Sequence, residues 1–266
     1  MLRFRTTCRA WVAGIAILIL ALSPQPAAAE KRVALVIGNG AYRSIGAIAN
    51  AGIDARLLAA SLRSVGFMLV GEGAQLDLDK RGFERALEAL GGELSSGDVA
   101  LLFYAGHGLQ VRGSNYLLPI DTSPVKDADI ASQLINVDLV LREMKQAHTR
   151  LNIVILDACR NNPFAGTGVR SAGLAPMLAP AGSLISFATQ PGGVAFDGDD
   201  GASPFSKALA ATMQRPGLDL IEAFDAVGKA VTQVTGGQQQ PWISTSPIPG
   251  SFYFAGAKVA PGAQRK

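Results

Sequence analysis

Cysteine is nearly missing from this chain: its 266 residues hold only Cys8 and Cys159. A framework of internal disulfides is therefore excluded, and stability has to come from a hydrophobic core. Histidine is as scarce, with His107 and His148 alone, so no zinc-ligand spacing can be assembled. Long apolar runs are missing too. The longest, Trp11 to Leu22, has 12 residues, short of the roughly 20 that span a bilayer. Nor is there an excess of charge in the body. Of 24 basic residues, three lie in the first 29 positions, which carry no acid; the remaining 21 balance 21 acidic residues. A neutral body gives nucleic acid or an anionic membrane surface no purchase, and neither is expected as a partner. No glycine-rich loop is followed by Lys-Ser/Thr, and no serine stands in a nucleophile-elbow pattern.

What is present is an apolar body, 48% hydrophobic, which rules out a disordered chain. Residues 1–29 read as a signal peptide: Arg3, Arg5 and Arg9, a short apolar middle, then Ala27-Ala28-Ala29. The expectation is export to the periplasm or beyond, with no membrane span left after its removal. Cys159 would then be the only thiol of the mature protein, an unpaired one in an oxidising compartment.

Residues 30–256 read as one domain and 257–266 as a disordered tail. Short apolar runs at Val33–Gly38, Phe67–Val70, Val99–Tyr104, Asn152–Leu156 and Ser183–Phe187 suggest buried strands, and Ser251–Phe254 suggests a final one. Helical spacing appears at Asn50–Ser64, Asp79–Leu90, Val137–Ala147, Ser203–Met213 and Leu218–Val234, with Ser203-Pro204 as an N-cap signal. Strands alternating with helices predict an α/β fold with a mostly parallel sheet and helices on both faces. The Gly/Ala/Pro-rich stretch Asn161–Gly182 reads as a mobile loop.

Ligands of open parallel sheets bind at the carboxyl ends of the strands. His107 follows one strand and Cys159 another, so the fold brings both to one edge. A thiol with an ordinary pKa is only a few per cent thiolate at neutral pH, and a neighbouring imidazole can take its proton for attack on a carbonyl. The amides of Gly108 and Cys159 are candidate oxyanion donors. His148, at the end of an amphipathic helix, reads as solvated. Asp197, Asp199 and Asp200 read as a solvated acidic turn, since no closing glutamate completes a calcium loop.

Phe103-Tyr-Ala-Gly-His-Gly108 and Leu156-Asp-Ala-Cys-Arg160 resemble the two catalytic motifs of caspase-like cysteine peptidases (peptidase family C14), and the histidine precedes the cysteine by 159 − 107 = 52 positions. Val33–Asn39, Asn115–Asp121 and Ser203-Pro-Phe205 extend the resemblance from about Lys31 to Phe254. It implies a three-layer sandwich with His107 and Cys159 as catalytic dyad. Caspases cut after aspartate and carry glutamine two residues before the nucleophile; Asp157 stands there in this chain, similar to the metacaspase and bacterial orthocaspase branch, whose S1 pocket takes Arg or Lys. Asp54 matches that branch's second acid. Ala105 departs from the serine often found before its Gly-His pair. Nicking after the nucleophile is implied as well, and Arg170 is the candidate self-cleavage site.

The resulting expectation is a monomeric cysteine endopeptidase that cuts peptides after Arg or Lys and needs no cofactor or metal. A silent binding or scaffold protein of the cell envelope is the alternative, weakened by the presence of both His107 and Cys159.

Overall fold

The computed structural model describes residues 30–123, 130–159, 173–191, 193, 195–198 and 201–257, apart from the side chains of Ala131 and Cys159. From Lys31 onward the chain forms one compact unit.

The centre is a parallel sheet of β1 (Arg32–Gly38), β4 (Val99–Val111), β7 (Leu151–Cys159) and β8 (Ser183–Phe187), preceded at one edge by the short β2 (Met68–Leu69) and closed at the other by antiparallel β9 (Trp242–Thr245). β3 (Gln75–Leu76) continues the pairing of β1 beyond β2. β4 outruns its neighbours and folds back as a hairpin with β5 (Ser114–Leu117), which pairs β6 (Ile135–Asn136). The continuous apolar runs of β1, β4 and β7 are those of strands buried on both faces.

Alternation divides these strands between two cores. Val36, Leu101, Phe103 and Ile153 pack with Leu58 of α1 (Ala51–Ser64), Phe205 of α5 (Pro204–Met213) and Val227 of α6 (Leu220–Val234). Leu35, Leu102, Tyr104 and Val154 pack on the other face with Phe83 of α2 (Lys80–Glu93) and Met144 of α4 (Val137–Gln146). A single turn, α3 (Ile130–Gln133), precedes β6. This is the expected three-layer α/β sandwich. Each large apolar side chain so buried contributes about 1.5–3 kcal/mol relative to exposure.

Two close approaches seat the elements around the site. A Cβ at Gly38 would come within 2.5 Å of the Ala51 carbonyl oxygen, so only glycine lets β1 end against the start of α1. α5 starts as read: the Ser203 hydroxyl accepts from the Ser206 amide and Pro204 occupies the first turn.

One expectation is corrected. The strand at the C-terminal side is β9, not Ser251–Phe254. There Phe252 and Phe254 are buried among Phe67 and Phe224, and only Tyr253 forms a bridge, to Asp219. Alternating aromatics suit an extended segment on helices as well as a strand, whereas Trp242–Thr245 is half-exposed and carries no apolar run. The stretch read as a mobile loop is anchored in its described part: Asn115 donates to the Ala175 carbonyl and accepts from the Ala175 amide, and Leu174 is buried. Residues 1–29, read as a signal peptide, and 124–129, 160–172 and 258–266 lie outside the described residues. Among the described residues no helix is long and apolar enough to cross a membrane.

Candidate active site

The two-residue period of a strand sets which side chains reach the site. On β4 the odd-numbered residues face the α1/α5 core, which puts Ala105, His107 and Leu109 on that side. On β7 Asp157 follows Ile153 and Ile155 on the same side. The parallel register pairs Ala105 with Asp157 and His107 with Cys159. Neighbouring strands lie about 4.8 Å apart, so the backbones of His107 and Cys159 stand side by side. Both residues belong to the strands rather than following them. The β5 hairpin carries β4 past Gly106 to Val111, and this extends the ladder to Cys159.

His107 is buried, and its Nε2 lies 2.7 Å from the Gly46 carbonyl oxygen. A carbonyl only accepts, so in the neutral ring Nε2 carries the hydrogen and Nδ1 the lone pair. Nδ1 is buried without a hydrogen-bond partner among the described residues. Burial pushes the imidazole below its ordinary pKa, against the Gly46 hydrogen bond and the Asp197 charge, which both act the other way. The result is a neutral ring whose basic nitrogen has no partner among the described residues.

Gly108 follows on β4. The Leu118 amide donates to the His107 carbonyl, which makes Gly108 and Leu117 a non-hydrogen-bonded pair. The Gly108 amide therefore turns away from β5 to the β7 side, into the ladder that pairs His107 with Cys159. A Cβ at Gly108 would meet Leu174 Cδ2 at 3.0 Å and Ala158 Cβ at 3.1 Å, so a side chain there would press on both neighbours.

Beside this pair lie two buried carboxylates, Asp54 from the first turn of α1 and Asp157 from β7. The Ser203 amide donates to Asp54 Oδ1 at 2.8 Å. The Ser203 and Ser206 hydroxyls donate to Asp157 Oδ2 at 2.6 and 2.8 Å. Asp157 Oδ1 has no such bond among the described residues, and neither acid has a cationic partner there. Burial, then the charge of Asp157, pushes Asp54 up to about 8 despite the Ser203 amide. Burial pushes Asp157 up to about 6 despite the two serine hydroxyls. Among the described residues, two buried carboxylates thus share one helix N-terminus and no cation, which leaves the site short of positive charge there.

The other expected residues are placed as follows. Asp197, read as part of a solvated turn, is exposed, yet its charge acts on Asp54, Asp157 and His107. A hollow of about 950 Å³, lined in part by Phe196, Gly198, Pro204 and Lys207, opens beside it. His148 is exposed at the end of α4. Asp199, Asp200, Arg160 and Arg170 lie outside the described residues.

Residues 31–253 match the caspase domain of peptidase family C14. The chain belongs to this family of caspase-domain peptidases. Among curated proteins it is similar to the mucosa-associated lymphoid tissue lymphoma translocation protein 1 of Homo sapiens, 33% identical over 137 residues. The Mus musculus homolog is 32% identical over 137 residues. Each match covers 51% of this chain and 16% of the relative, so the chain corresponds to about a sixth of those longer proteins.

Within this caspase domain, sequence reasoning missed Tyr42, Gly46, Asp197 and Ser206, and found Ser203 only as a helix cap. Ser203-Pro204 was the one available signal, because an N-cap hydroxyl with a second acceptor near it looks the same in sequence as one without. Gly46 acts through its carbonyl, which every residue has.

Proposed function

We propose that this caspase-domain chain is a cysteine endopeptidase that cleaves after Arg or Lys. The observation that carries the reading is the His107–Cys159 register beside a buried acid pair that has no cationic partner among the described residues. In this reading His107 Nδ1 takes the Cys159 thiol proton and the thiolate adds to the scissile carbonyl. The amides of Gly108 and Cys159, which have to leave the β4–β7 ladder to do so, meet the oxyanion. The imidazolium then protonates the leaving amine, and a thioester to Cys159 remains. Water, deprotonated by the same imidazole, hydrolyses it and restores the thiol. The Gly46 carbonyl supports these steps by holding the ring in one tautomer.

Asp54 and Asp157 supply the negative charge for the P1 side chain, with Asp197 as a third acid at the rim. A charge-assisted hydrogen bond is worth about 1.5–3 kcal/mol, roughly 10- to 150-fold in discrimination. Arg and Lys should therefore be strongly preferred over neutral or acidic P1 residues. The chemistry asks for no cofactor. The leader supports export to the periplasm or beyond, action as a monomer is part of the proposal, and Arg170 is the proposed self-cleavage site.

Fluorogenic peptides with P1 Arg, Lys or Asp, offered to the wild type, Cys159→Ala and His107→Ala, test the reading. Turnover of the Arg and Lys peptides, lost by about 10³-fold or more in both variants, supports it. No turnover, with no labelling of Cys159 by an arginyl chloromethyl ketone, favours the scaffold alternative. Intact mass of active protein tests Arg170: a cut there, abolished by Arg170→Gln, is expected, and an uncut active chain refutes it.

A further inference from the structure

The ladder between β1 and β4 stops at Gly38–Ala105, while β4 runs on to Val111. The Ala105 carbonyl still accepts from the Asn39 amide, so the odd-numbered residues of β4 turn their backbone groups to the β1 side. Two residues further on, the His107 amide points the same way, where β1 has ended and Leu118, next after β5, bonds only the His107 carbonyl through its amide. A buried amide at that position requires an acceptor. Tyr42 provides one: its hydroxyl lies 2.7 Å from the His107 nitrogen.

That hydroxyl is itself fixed. It lies 3.1 Å from the Tyr104 hydroxyl and 3.3 Å from the Leu118 carbonyl oxygen, and the Tyr104 hydroxyl donates to the His107 carbonyl at 2.8 Å. The His107 amide thus ends on one tyrosine hydroxyl, and its carbonyl is shared between another and the Leu118 amide. The Tyr42 ring also lies against the imidazole, with centroids 4.7 Å apart. The segment carrying Tyr42 is tied down as well. The Gly40 and Ala41 amides donate to Asp77 Oδ1, and the Arg43 amide to the Ile120 carbonyl. Gly46, whose carbonyl takes the imidazole Nε2–H, belongs to the same segment.

We propose that Tyr42 is a positioning residue for the His107 imidazole: its hydroxyl replaces the strand that β1 lacks, and its ring braces the side chain that Gly46 holds at the far end. This rests on the peptidase reading above, in which Nδ1 must face the thiol. Tyr42 does not touch the reacting atoms; it sets where the ring sits. Loss of its hydroxyl leaves the His107 amide unpaired, and the strand end shifts to find another acceptor. A misplacement of about 1 Å is enough to cost about 100-fold in a reaction that depends on alignment.

The chain with Cys8→Ser has Cys159 as its only thiol, so its alkylation by iodoacetamide against pH reports one thiolate. Two histidines make the imidazole nitrogen NMR spectrum simple, with exposed His148 as reference. In wild type the alkylation curve should rise well below the ordinary thiol range, and His107→Ala should return it to that range. Failure of this arm sinks the peptidase reading itself. With it in place, Tyr42→Phe should lower kcat about 10- to 100-fold with KM within about twofold. It should also move the alkylation curve upward in pH and weaken the single-tautomer signature of His107. A folded Tyr42→Phe protein with wild-type kcat, curve and spectrum overturns the proposal. If that variant does not fold, a ring-fluorinated tyrosine at position 42 keeps the shape and weakens the acceptor. It must shift kcat and the curve in the same direction, and no shift is equally fatal.

Discussion

Asp54 and Asp157 come from elements about a hundred residues apart in the chain, yet Ser203 binds both: its amide holds Asp54 and its hydroxyl holds Asp157. The N-terminus of α5 is thus the only positive pole offered to two buried carboxylates by the described residues. In the proposed reading that imbalance serves the binding of a cationic P1 side chain.

Removing one carboxylate should therefore separate function from stability. Both acids have folded pKa values raised above the unfolded value, about 3.9. The stability they contribute is fully present below that value and is lost as pH rises through about 6 and about 8. Asp54→Asn, which cannot ionise, should lose kcat/KM for P1 Arg by about 10- to 150-fold. Its melting temperature should nevertheless fall less than that of wild type between pH 5 and pH 9. Parallel melting curves for the two proteins would show that the pair does not titrate in the fold.

The same titration should appear in catalysis. KM for an arginyl peptide should drop as pH rises through the range in which the pair ionises, because the P1 cation meets more negative charge. His107 has a lowered pKa, so protonation of the base should show only below the ordinary histidine range. The stability tied to its neutral form is present above that range and is lost as pH falls through the lowered value. Initial rates across pH, in wild type and Asp54→Asn, separate the effects: the acid-pair component should flatten in the variant and the His107 limb should stay.

Ser203→Ala removes a helix cap and a carboxylate ligand together. The lost cap costs about 0.5–2 kcal/mol, read from urea midpoints. The lost hydroxyl bond should raise Asp157 further, so the pH at which KM falls should move upward. Ser203→Thr keeps both bonds and should restore the profile. A variant with altered stability and an unshifted KM profile would assign Ser203 to capping alone.

Phe83 tests how the scaffold supports the site. It is fully buried under β4, with its ring 5.8 Å from that of Tyr104. Phe83→Ala should cost about 3–5 kcal/mol, and by loosening Tyr104 it should also lower kcat. Denaturant melts and kcat measured on the folded fraction check both parts.

The order of strands and helices was legible in the amino-acid pattern because each core strand is an unbroken apolar run and each helix shows its own period. The meeting of His107 and Cys159 at one edge was legible too, since parallel strands end on the same side. Of the proposed pocket, Asp54 and Asp157 stood out through the family resemblance, and Asp197 did not, because an acidic turn looks the same whether or not its charge acts on other groups. The true edge strand, β9, was missed because pairing on one side only imposes no apolar run.

The sequence by itself determined the periodicities and the residue types: a neutral body, one thiol and one imidazole after apolar runs, and two acids. Only the tertiary structure decided their relations. The register that sets His107 opposite Cys159, the length of β1 that leaves the His107 amide to Tyr42, and the helix end shared by Asp54 and Asp157 are contacts between distant segments. Such contacts depend on how elements stack and where they stop, and no local pattern of residues encodes either.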